Sequence, residues 1–585
     1  MKKQCLNTNP LKTAILVFLF LFVSFTYVLA QNQREIKGTV TDLNTNVPIS
    51  NVSVVVKGTD RGIVTDENGE YIIHGKKGDV LVFSFSGYES NEETVSDQSV
   101  INVLLKRSTS QLDEVVVVGY GTQKKANLTG SISTVSADKL TAIPTQTIAQ
   151  ALMGKASGVF IKNVNGQPGD LNGVSYNIRG FGDPLIIIDG IPATKAEFNL
   201  IDPNDIEEFN VLKDAAAGSV FGARAGNGVI LVKTKRGKLS KPVITYTGNY
   251  SLQYFSVKPE LVSSAQYFEM QNLANFNAGL PPATSDEIIN KYKAGNDPNY
   301  PNTNWWDATL RKFAPQSQHN INIRGGNDKV KYFVSGGYFH QDGMLRSDDI
   351  KSNRYNLRSN VDISVTKKLT VGVDVSLSMQ DYIGPRNQLE RTASVLGIMT
   401  MLRRARSYYP LHPGPDPTKL ITMTNGMLPT VLSEIHNMGF TKWNNLDLDS
   451  KLSVSYDLPL GFNAKAVLDF GRTYYKRKEK TAKVQVYTYN AADSSYIPQG
   501  FTNDPSKLYQ QESMVNNLNQ QYFLTWNKKF NDHSLNALFV YEQLANTSEF
   551  IEASRIRYLF DIDYLFAGPT LDSYNNGSAT EDGRK

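Results

Sequence analysis

The chain has 585 residues, with 61 lysines and arginines against 56 aspartates and glutamates, and a single cysteine. This length exceeds one ordinary domain, so several folding units are expected. The small net charge of +5 gives no electrostatic reason to expect a protein that binds nucleic acid.

Residues 1–30 have the features of a secretory signal peptide. Lysines lie near the start, 14–23 is an unbroken apolar run, and 28–30 (Val-Leu-Ala) resembles a cleavage site. The run is shorter than the roughly 20 residues of a membrane-spanning helix. Because Cys5 lies before this run, we expect the exported chain to have no disulfides, although it enters an oxidising compartment. No later apolar stretch reaches membrane-helix length, so any insertion into a membrane is expected as a β-barrel.

Residues 36–107 contain short β-branched runs that glycine, asparagine and aspartate interrupt, which predicts a small β-domain. The acidic segment 66–70 (DENGE) allows a weak calcium loop or, as the favoured interpretation, a hairpin turn in which Asn68-Gly69 supplies positive φ. The whole stretch resembles the carboxypeptidase-regulatory-like domain, a seven-stranded β-sandwich without catalysis. That resemblance implies a structural or docking module.

Residues 108–124 form a polar connector that contains the sequence LDEVVVVGYGTQKK. Its central valines favour extended pairing and risk aggregation when exposed. The valine run could pair with either of two partners, the edge of the preceding β-domain or a strand of another protein. The glycines at 119 and 121 do not form a dinucleotide-binding fingerprint, because Lys124 occupies the third glycine position.

Residues 125–238 give the mixed signals of a small α+β domain. Short helices are expected at 136–140 and 147–161, and strands or turns at 176–180, 184–192, 205–214 and 227–237. The glycine-rich segment 218–230 lacks the Lys-Ser/Thr pair of a phosphate loop. Its glycines are therefore expected where a turn approaches a strand closely.

From about residue 243 the alternation of apolar and polar residues becomes regular, most clearly in 354–365, 369–380 and 446–458. Alternating runs of about ten to twelve residues are typical of membrane-spanning strands, whereas strands of soluble sandwiches have about five to six. Turns at 366–368 and 459–461 are short, and connections at about 381–442 and 476–514 are long. This predicts an outer-membrane barrel with long external loops, apolar residues toward lipid and polar residues toward the lumen.

This order of segments resembles the SusC/RagA family of TonB-linked outer membrane transporters. The similarity is dense from 36 to about 237 and mainly architectural beyond. It implies a mainly β fold: a transmembrane antiparallel β-barrel (239–585, incomplete in this chain), an α+β plug domain (125–238), and the small carboxypeptidase-regulatory-like β-sandwich (36–107). The connector resembles a TonB box, formed by Asp113, Glu114, Val115, Val116, Val117, Val118 and Gly119. The plug signatures supply Arg179, Gly180, Asp189, Gly190, Lys213, Asp214, Gly222, Arg224 and Gly228.

The resemblance implies TonB-dependent active import of oligosaccharides or oligopeptides across the Gram-negative outer membrane. The implied partners are TonB with ExbB and ExbD, a SusD-like surface lipoprotein, the glycan or peptide oligomer, and outer membrane lipid. No cofactor and no enzymatic activity are implied, since proton-motive force drives the transport, and the N-terminal domain is expected in the periplasm. Four aromatic residues allow either stacking on sugar rings or, as the favoured interpretation, packing at loops and interfaces: Trp305, Trp306, Tyr408 and Tyr409.

Other functions remain open at this point. A TonB-dependent siderophore or vitamin receptor would share the plug and barrel, and an adhesin would share only the exported β-structure. A secreted hydrolase is disfavoured because the six histidines are scattered and no His-Glu-x-x-His or Gly-x-Ser-x-Gly motif occurs. About nine or ten barrel strands fall short of a large transporter barrel of about 22 strands. We therefore expect the N-terminal part of a longer protein, or an inactive truncated remnant.

Overall fold

The computed structural model describes residues 34–584, except for 44, 60, 86–87, 107–114, 119–120, 125–131, 142–144, 164–165, 172, 215–217, 348, 387–394, 425–427, 430–438, 503, 531–532 and 571–572. The predicted signal peptide and Asp113, Glu114 and Gly119 lie outside the described residues. Within the described ranges, no helix has the length and apolar character needed to cross a membrane.

The N-terminal domain has the seven strands that the sequence predicts. They are β1 (Arg34–Asp42), β2 (Ser53–Val56), β3 (Gly62–Val64), β4 (Glu70–Gly75), β5 (Val80–Ser84), β6 (Asn91–Thr94) and β7 (Val103–Leu105). They form two sheets, β4-β1-β7 and β3-β2-β5-β6, around a core that includes Val40, Tyr71 and Phe83. Segment 66–70 forms a tight turn, in which the Asp66 carboxylate accepts from the backbone N–H groups of Asn68 and Glu70.

The next domain has a five-stranded sheet of order β10-β15-β16-β13-β14 and a separate β11–β12 pair. Its strands are β10 (Ile132–Ser136), β11 (Val159–Asn163), β12 (Val174–Ile178), β13 (Leu185–Ile188), β14 (Ile191–Ala193), β15 (Ile206–Leu212) and β16 (Val229–Thr234). Its helices are α1 (Ala137–Thr141), α2 (Ile148–Leu152) and α3 (Lys195–Leu200), with 3₁₀ turns at Pro203–Asp205 and Ser219–Ala225. Buried Ile148, Phe198 and Phe209 contribute to an apolar core of its own.

Two expectations for this domain are wrong in detail. The helix expected over 147–161 ends at Leu152, because Gly154 and Gly158 adopt positive φ (71° and 75°) and the β-formers after them build β11. The glycine-rich segment contains two short 3₁₀ turns that meet at the non-helical Gly222 (φ of 62°), rather than one simple turn. The close approach is present at Gly228, where an added Cβ would lie 3.0 Å from the Leu212 carbonyl oxygen.

The rest of the chain forms a ten-stranded antiparallel sheet, here called the wall, in which neighbours in the sheet follow chain order. Its strands are β17 (Ser240–Gln253), β18 (Ala314–Gly326), β19 (Val330–Asp342), β20 (Lys351–Ser364), β21 (Leu369–Pro385), β24 (Gly439–Asp457), β25 (Phe462–Thr481), β28 (Lys507–Phe530), β29 (His533–Ile556) and β30 (Ser573–Arg584). Short hairpins β22 (Thr422–Thr424) with β23 (Leu428–Pro429) and β26 (Val484–Asn490) with β27 (Ser495–Thr502) lie in the connections. In the described residues, β17 and β30 are the two edges and do not pair with each other.

Connections at the two ends of the wall differ in length, as the sequence predicts. Short turns at 327–329, 365–368 and 458–461 lie at one end, the turn side. Connections 254–313, 386–438 and 482–506 lie at the other end, the loop side. The strands are longer than expected, up to 24 residues in β28, and their extra length lies toward the loop side.

The loop side has a small apolar core of its own. Its connections carry α4 (Ser264–Asn277), α5 (Asp286–Ala294), α6 (Trp305–Thr309) and α7 (Val395–Arg404), with 3₁₀ turns at Leu565–Ala567 here and at Pro459–Gly461 on the turn side. Buried Trp305, Tyr382 and Leu402 join these segments to the ends of the strands.

The two faces of the wall are inverted relative to a soluble sheet. On β21, Asp374, Ser378 and Gln380 are buried, whereas Val373 is 39% exposed. On β18, Gln318 and Asn320 are buried, whereas Ile321 is 52% exposed. Polar side chains therefore form the inner face, which contacts the 132–234 domain, and apolar side chains form the outer face.

Candidate functional site

The valine run forms β8 (Val115–Val118), which pairs with β9 (Gly121–Lys124) in a separate two-stranded sheet. In the described part of the chain it joins neither sheet of the N-terminal domain. The interpretation of this run as an edge strand of the preceding sandwich is therefore not supported. Its pairing with another protein stays a prediction.

The β13–β14 hairpin places a strained Asp-Gly pair against the wall. Ile188 pairs with Ile191, so Asp189 and Gly190 form a two-residue turn with φ of 48° and 90°. The Asp189 backbone oxygen accepts from Lys451 Nζ at 3.1 Å, and the Gly190 oxygen accepts from Gln521 Nε2 at 3.1 Å. Two wall side chains thus hold the tip of the hairpin.

An ion cluster lies beside this tip and joins the connector after β16 to the wall. Arg236 donates to both carboxylate oxygens of Asp374, at 3.0 and 2.6 Å, and contacts Asp362 at 3.3 Å. Lys451 Nζ lies 2.9 Å from the same Asp374 carboxylate. The Asp374 side chain is only 9% exposed, so losing its charge would leave two cations in a poorly hydrated environment.

The carboxylate of Asp189 belongs to the same electrostatic system. It accepts from the Thr234 backbone N–H at 2.9 Å and from Thr234 Oγ1 at 2.5 Å. Burial alone would raise its pKa, but the charges of Lys451 and Arg358 and the bonds from Thr234 hold the pKa below its usual value. Asp189 is therefore ionised at neutral pH and helps to fix the turn.

Wall amides and a buried arginine satisfy carbonyl groups of the inner domain. Arg354, 1% exposed, donates to the backbone oxygens of Gln146 at 2.6 Å and Asn199 at 3.2 Å. Asn356 Nδ2 donates to the Leu200 oxygen at 2.7 Å, and Asn360 Nδ2 donates to the Lys235 oxygen at 2.7 Å and to Thr234 Oγ1 at 2.9 Å. Hydrogen bonds to backbone groups thus complement the ion cluster at this contact surface.

A cavity of about 260 Å³ separates α3 from the wall and is lined by carboxylates of both. Burial and the nearby Asp447 raise the pKa of Glu197, which faces it, to about 7. Burial and Asp202 raise the pKa of Asp205 to about 6, although Arg358 lies 3.7 Å away. No group of three or more histidine, cysteine or acidic side chains in the described ranges has a metal-binding arrangement.

The remaining plug-signature residues fall into two local sets. Arg179 forms an ion pair with Asp214 at 2.6 Å, and Lys213 Nζ donates to Ser157 Oγ at 2.9 Å. Arg224 pairs with Glu542 of the wall. The signature glycines all have positive φ, and they are Gly180, Gly190, Gly222 and Gly228. Arg224, Asp189 and Gly190 thus reach the wall, whereas the others organise the domain itself.

The four candidate aromatic residues lie in the loop-side core region. Trp305 is fully buried, and its indole N–H donates to the Arg406 oxygen at 2.9 Å, so packing accounts for it. Trp306 and Tyr409 pack against this core, and the Tyr408 ring contacts the Tyr409 ring in a tilted arrangement, at 4.7 Å between ring centres. Stacking of the tyrosines on a sugar stays a prediction.

Sequence reasoning missed the wall residues that hold the inner domain, above all Arg354, Asp374 and Lys451. The alternation of polar and apolar residues correctly predicts that these three side chains lie on the inner face. It does not indicate that they bind the plug rather than water. Arg236 lies in the expected strand or turn 227–237 but is not among the plug-signature residues.

Comparisons with known proteins agree with this architecture. Residues 124–229 match the family model of the TonB-dependent receptor plug domain, and 36–117 match the carboxypeptidase-regulatory-like domain. TonB-dependent receptor P26 of Formosa agariphila is 37% identical over 363 residues, which is 60% of this chain and 35% of the relative. TonB-dependent receptor SusC of Bacteroides thetaiotaomicron is 35% identical over 333 residues, or 54% of this chain and 31% of the relative.

A solved structure titled the RagAB peptide importer in the open-open state matches 80% of this chain and 53% of its own, with a TM-score of 0.63 and 23% identity. At that identity the match establishes the fold alone. The chain spans about a third of the curated relatives and about half of the solved structure. These findings confirm the resemblance to SusC-like TonB-dependent receptors and the predicted fold class.

Proposed function

We propose, with the resemblance to SusC-like TonB-dependent receptors as the premise, that this chain contributes the plug and part of the barrel of an outer-membrane importer. Its cargo would be an oligosaccharide or oligopeptide, and its partners TonB with ExbB and ExbD and a SusD-like surface lipoprotein. Proton-motive force rather than a bound cofactor would supply the work, and the protein would carry out no covalent chemistry. The N-terminal domain and β8 would then lie in the periplasm.

The observation that best supports this proposal is that the plug has its own apolar core but contacts the wall through polar groups. Separating such surfaces exposes groups that water can solvate, whereas opening an apolar core would cost about 25 cal/mol for each Å². A plug of this construction can separate from the wall while most of its apolar core stays intact. Separation of that kind is what passage of an oligomer requires.

The position of β8 supports its use as the attachment point for a pull. It precedes β10, and β10 is an edge strand of the plug sheet that pairs only with β15 among the described residues. Tension applied at 115–118 therefore reaches the plug at its edge. Main-chain pairing with a strand of TonB would transmit tension without any side-chain chemistry.

The test replaces Val116 with proline, which removes a backbone N–H and disfavours strand pairing. We expect uptake and growth on the oligomeric nutrient to be abolished while the protein remains in the outer membrane at its normal amount. Cargo binding by the purified protein should be unchanged, because the substitution lies outside the plug and wall. The matched control, Val116→Thr, keeps both the N–H group and a β-branched side chain and should retain uptake.

Uptake by Val116→Pro at the wild-type rate would contradict the TonB assignment. Uptake that depends on iron limitation, or competition by a siderophore, would instead favour the siderophore receptor. Paired growth assays on oligosaccharide and on oligopeptide mixtures would identify the cargo class.

A further inference from the structure

The outer face of the wall carries a lysine cluster just beyond its apolar band, on the loop side. The cluster consists of Lys351, Lys442, Lys476 and Lys478, which come from three strands, β20, β24 and β25. Cross-strand register brings them together: Lys442 lies directly opposite Lys478, and Ile383 of β21 lies between Lys351 and Lys442. Like charges placed directly opposite each other destabilise a sheet unless an anion lies between them.

The side-chain alternation assigns this cluster to the outer face. Lys442 and Asn444 share the parity of Leu452 and Tyr456, which are 44% exposed, whereas Thr441 and Asn445 of the other face are buried. On β25, Lys476 and Lys478 share the parity of Leu468. The lysines thus point away from the plug.

The depth of the cluster follows from strand geometry. On the turn side of Lys442 and Asn444, the outer face of β24 is apolar from Leu446 to Tyr456 except at Ser450, a length of ten residue steps. At about 3.4 Å per residue and a tilt of about 40°, these steps span about 26 Å, close to the ~25 Å apolar band of an outer-membrane barrel. Lys476 lies two residues beyond Tyr474, the cross-strand partner of Leu446, and Lys442 lies four beyond Leu446. The cluster therefore lies roughly 5 to 10 Å past the band, at headgroup depth.

A cavity of about 410 Å³ lies among these side chains. Its lining supplies the four lysines together with Asn353, Asn444 and Asp381, so donors exceed acceptors. Asp381 is already occupied by a bond from Asn444 Nδ2 at 2.5 Å. Lysines beside amide groups suit a phosphate attached to a sugar, with the amides directed at hydroxyl groups.

Ion pairs within the chain engage two lysines of the cluster. Lys476 pairs with Glu512 at 2.9 Å, and Lys478 pairs with Asp563 of the connection after β29 at 3.1 Å. Lys442 is exposed, lies over the Phe440 ring at 4.5 Å, and forms no ion pair with the described residues. The cluster thus already attracts carboxylates. The charge of Asp563 also acts on Lys442, although no carboxylate of the described residues forms an ion pair with this lysine.

We propose that the lysine cluster binds the phosphorylated sugar headgroup of a glycolipid in the outer leaflet, with Lys442 as its principal cation. This rests on the proposed outer-membrane location, since only insertion with the loops outside brings the cluster to that leaflet. Headgroup phosphates would separate Lys442 from Lys478, and the acyl chains would lie along the exposed apolar face below. The interaction would fix the height of the barrel in the membrane.

The experiment measures binding of bisphosphorylated lipid A to the full-length protein in detergent by native mass spectrometry. A lysine near an anionic surface contributes about fivefold in affinity, so Lys442→Gln should weaken binding about fivefold and Lys442→Gln/Lys478→Gln about 25-fold. Lys442→Arg should retain binding. The control pair Lys367→Gln/Lys368→Gln removes two exposed lysines in a turn at the opposite end of the wall and should leave the affinity unchanged.

Equal binding by the wild type and the double variant, with unfolding temperatures matched, would overturn the assignment. The assignment would also be overturned if dephosphorylated lipid A bound as tightly as the bisphosphorylated form. Displacement of the lipid by inorganic phosphate at the same concentration would overturn it as well. Failure of the proposed importer appears separately, as wild-type uptake by Val116→Pro or as absence of the protein from the outer-membrane fraction.

Discussion

Replacing Asp374 with asparagine removes one charge from the ion cluster and keeps the shape of the side chain. The wild-type carboxylate accepts hydrogen bonds from both terminal nitrogens of Arg236 and lies 2.9 Å from Lys451 Nζ. Breaking a buried ion pair by neutralising one partner costs about 3–5 kcal/mol. Arg236 is 29% exposed and keeps Asp362 at 3.3 Å, so water and the second carboxylate reduce the expected cost to about 2–3 kcal/mol.

Hydrogen exchange at β16 and at the connector 235–239 measures this loss directly. A cost of about 2–3 kcal/mol should lower protection there by roughly 30- to 150-fold. Protection of the N-terminal sandwich should not change. Asp328→Asn, in an exposed turn between β18 and β19, is the control and should alter protection less than about threefold. If Asp374→Asn and Asp328→Asn give the same protection, the ion cluster does not hold the plug.

Two further substitutions test the plug. Because the folded state holds a proton on Glu197 up to about pH 7, stability should fall as pH rises from about 4.5 to 7 and then level off. Glu197→Gln should reduce this pH-dependent loss of stability by about 2 kcal/mol. Melting temperatures at pH 5, 6 and 7 measure the loss. If they fall with pH as steeply in the variant as in the wild type, the raised pKa of Glu197 is refuted. Gly228→Ala should cost about 2–3 kcal/mol, because φ is +89° and the new Cβ would lie 2.9 Å from Ile178 Cδ1. Gly226→Ala, where φ is −55°, is its control in chemical denaturation, and equal losses would contradict the reasoning.

Strands were easiest to predict from the sequence where successive residues face two different environments. In 369–380 the outer residues meet an apolar surrounding and the inner ones meet the plug, so the alternation is strict and the strand is predictable. Beyond the apolar band the outer residues become polar, as at Lys442 and Lys476, and the contrast disappears. For that reason the sequence predicts loops where the loop-side ends of β24 and β25 lie.

The contacts between the plug and the wall could not be predicted from the sequence, for a different physical reason. A buried Asp374 facing Arg236 and a lumen aspartate facing water give the same alternating pattern. Only the fold brings residues 138 positions apart to 3.0 Å. The turn chemistry of Asp189-Gly190, by contrast, is local, since two positive φ values favour this dipeptide in a tight hairpin.

The polar plug–wall surface and the position of β10 together favour one mode of opening. Displacing the whole plug requires the bonds of Arg354, Asn360 and Asp374 to break together. Tension entering at β10 loads an edge strand that pairs with β15 over only five residues, 132–136, so its bonds can break one after another at lower force. We therefore expect β10 to peel away first. Under that mechanism Asp374→Asn transports at the wild-type rate although its plug is loosened, whereas faster transport would indicate that the plug leaves as one body.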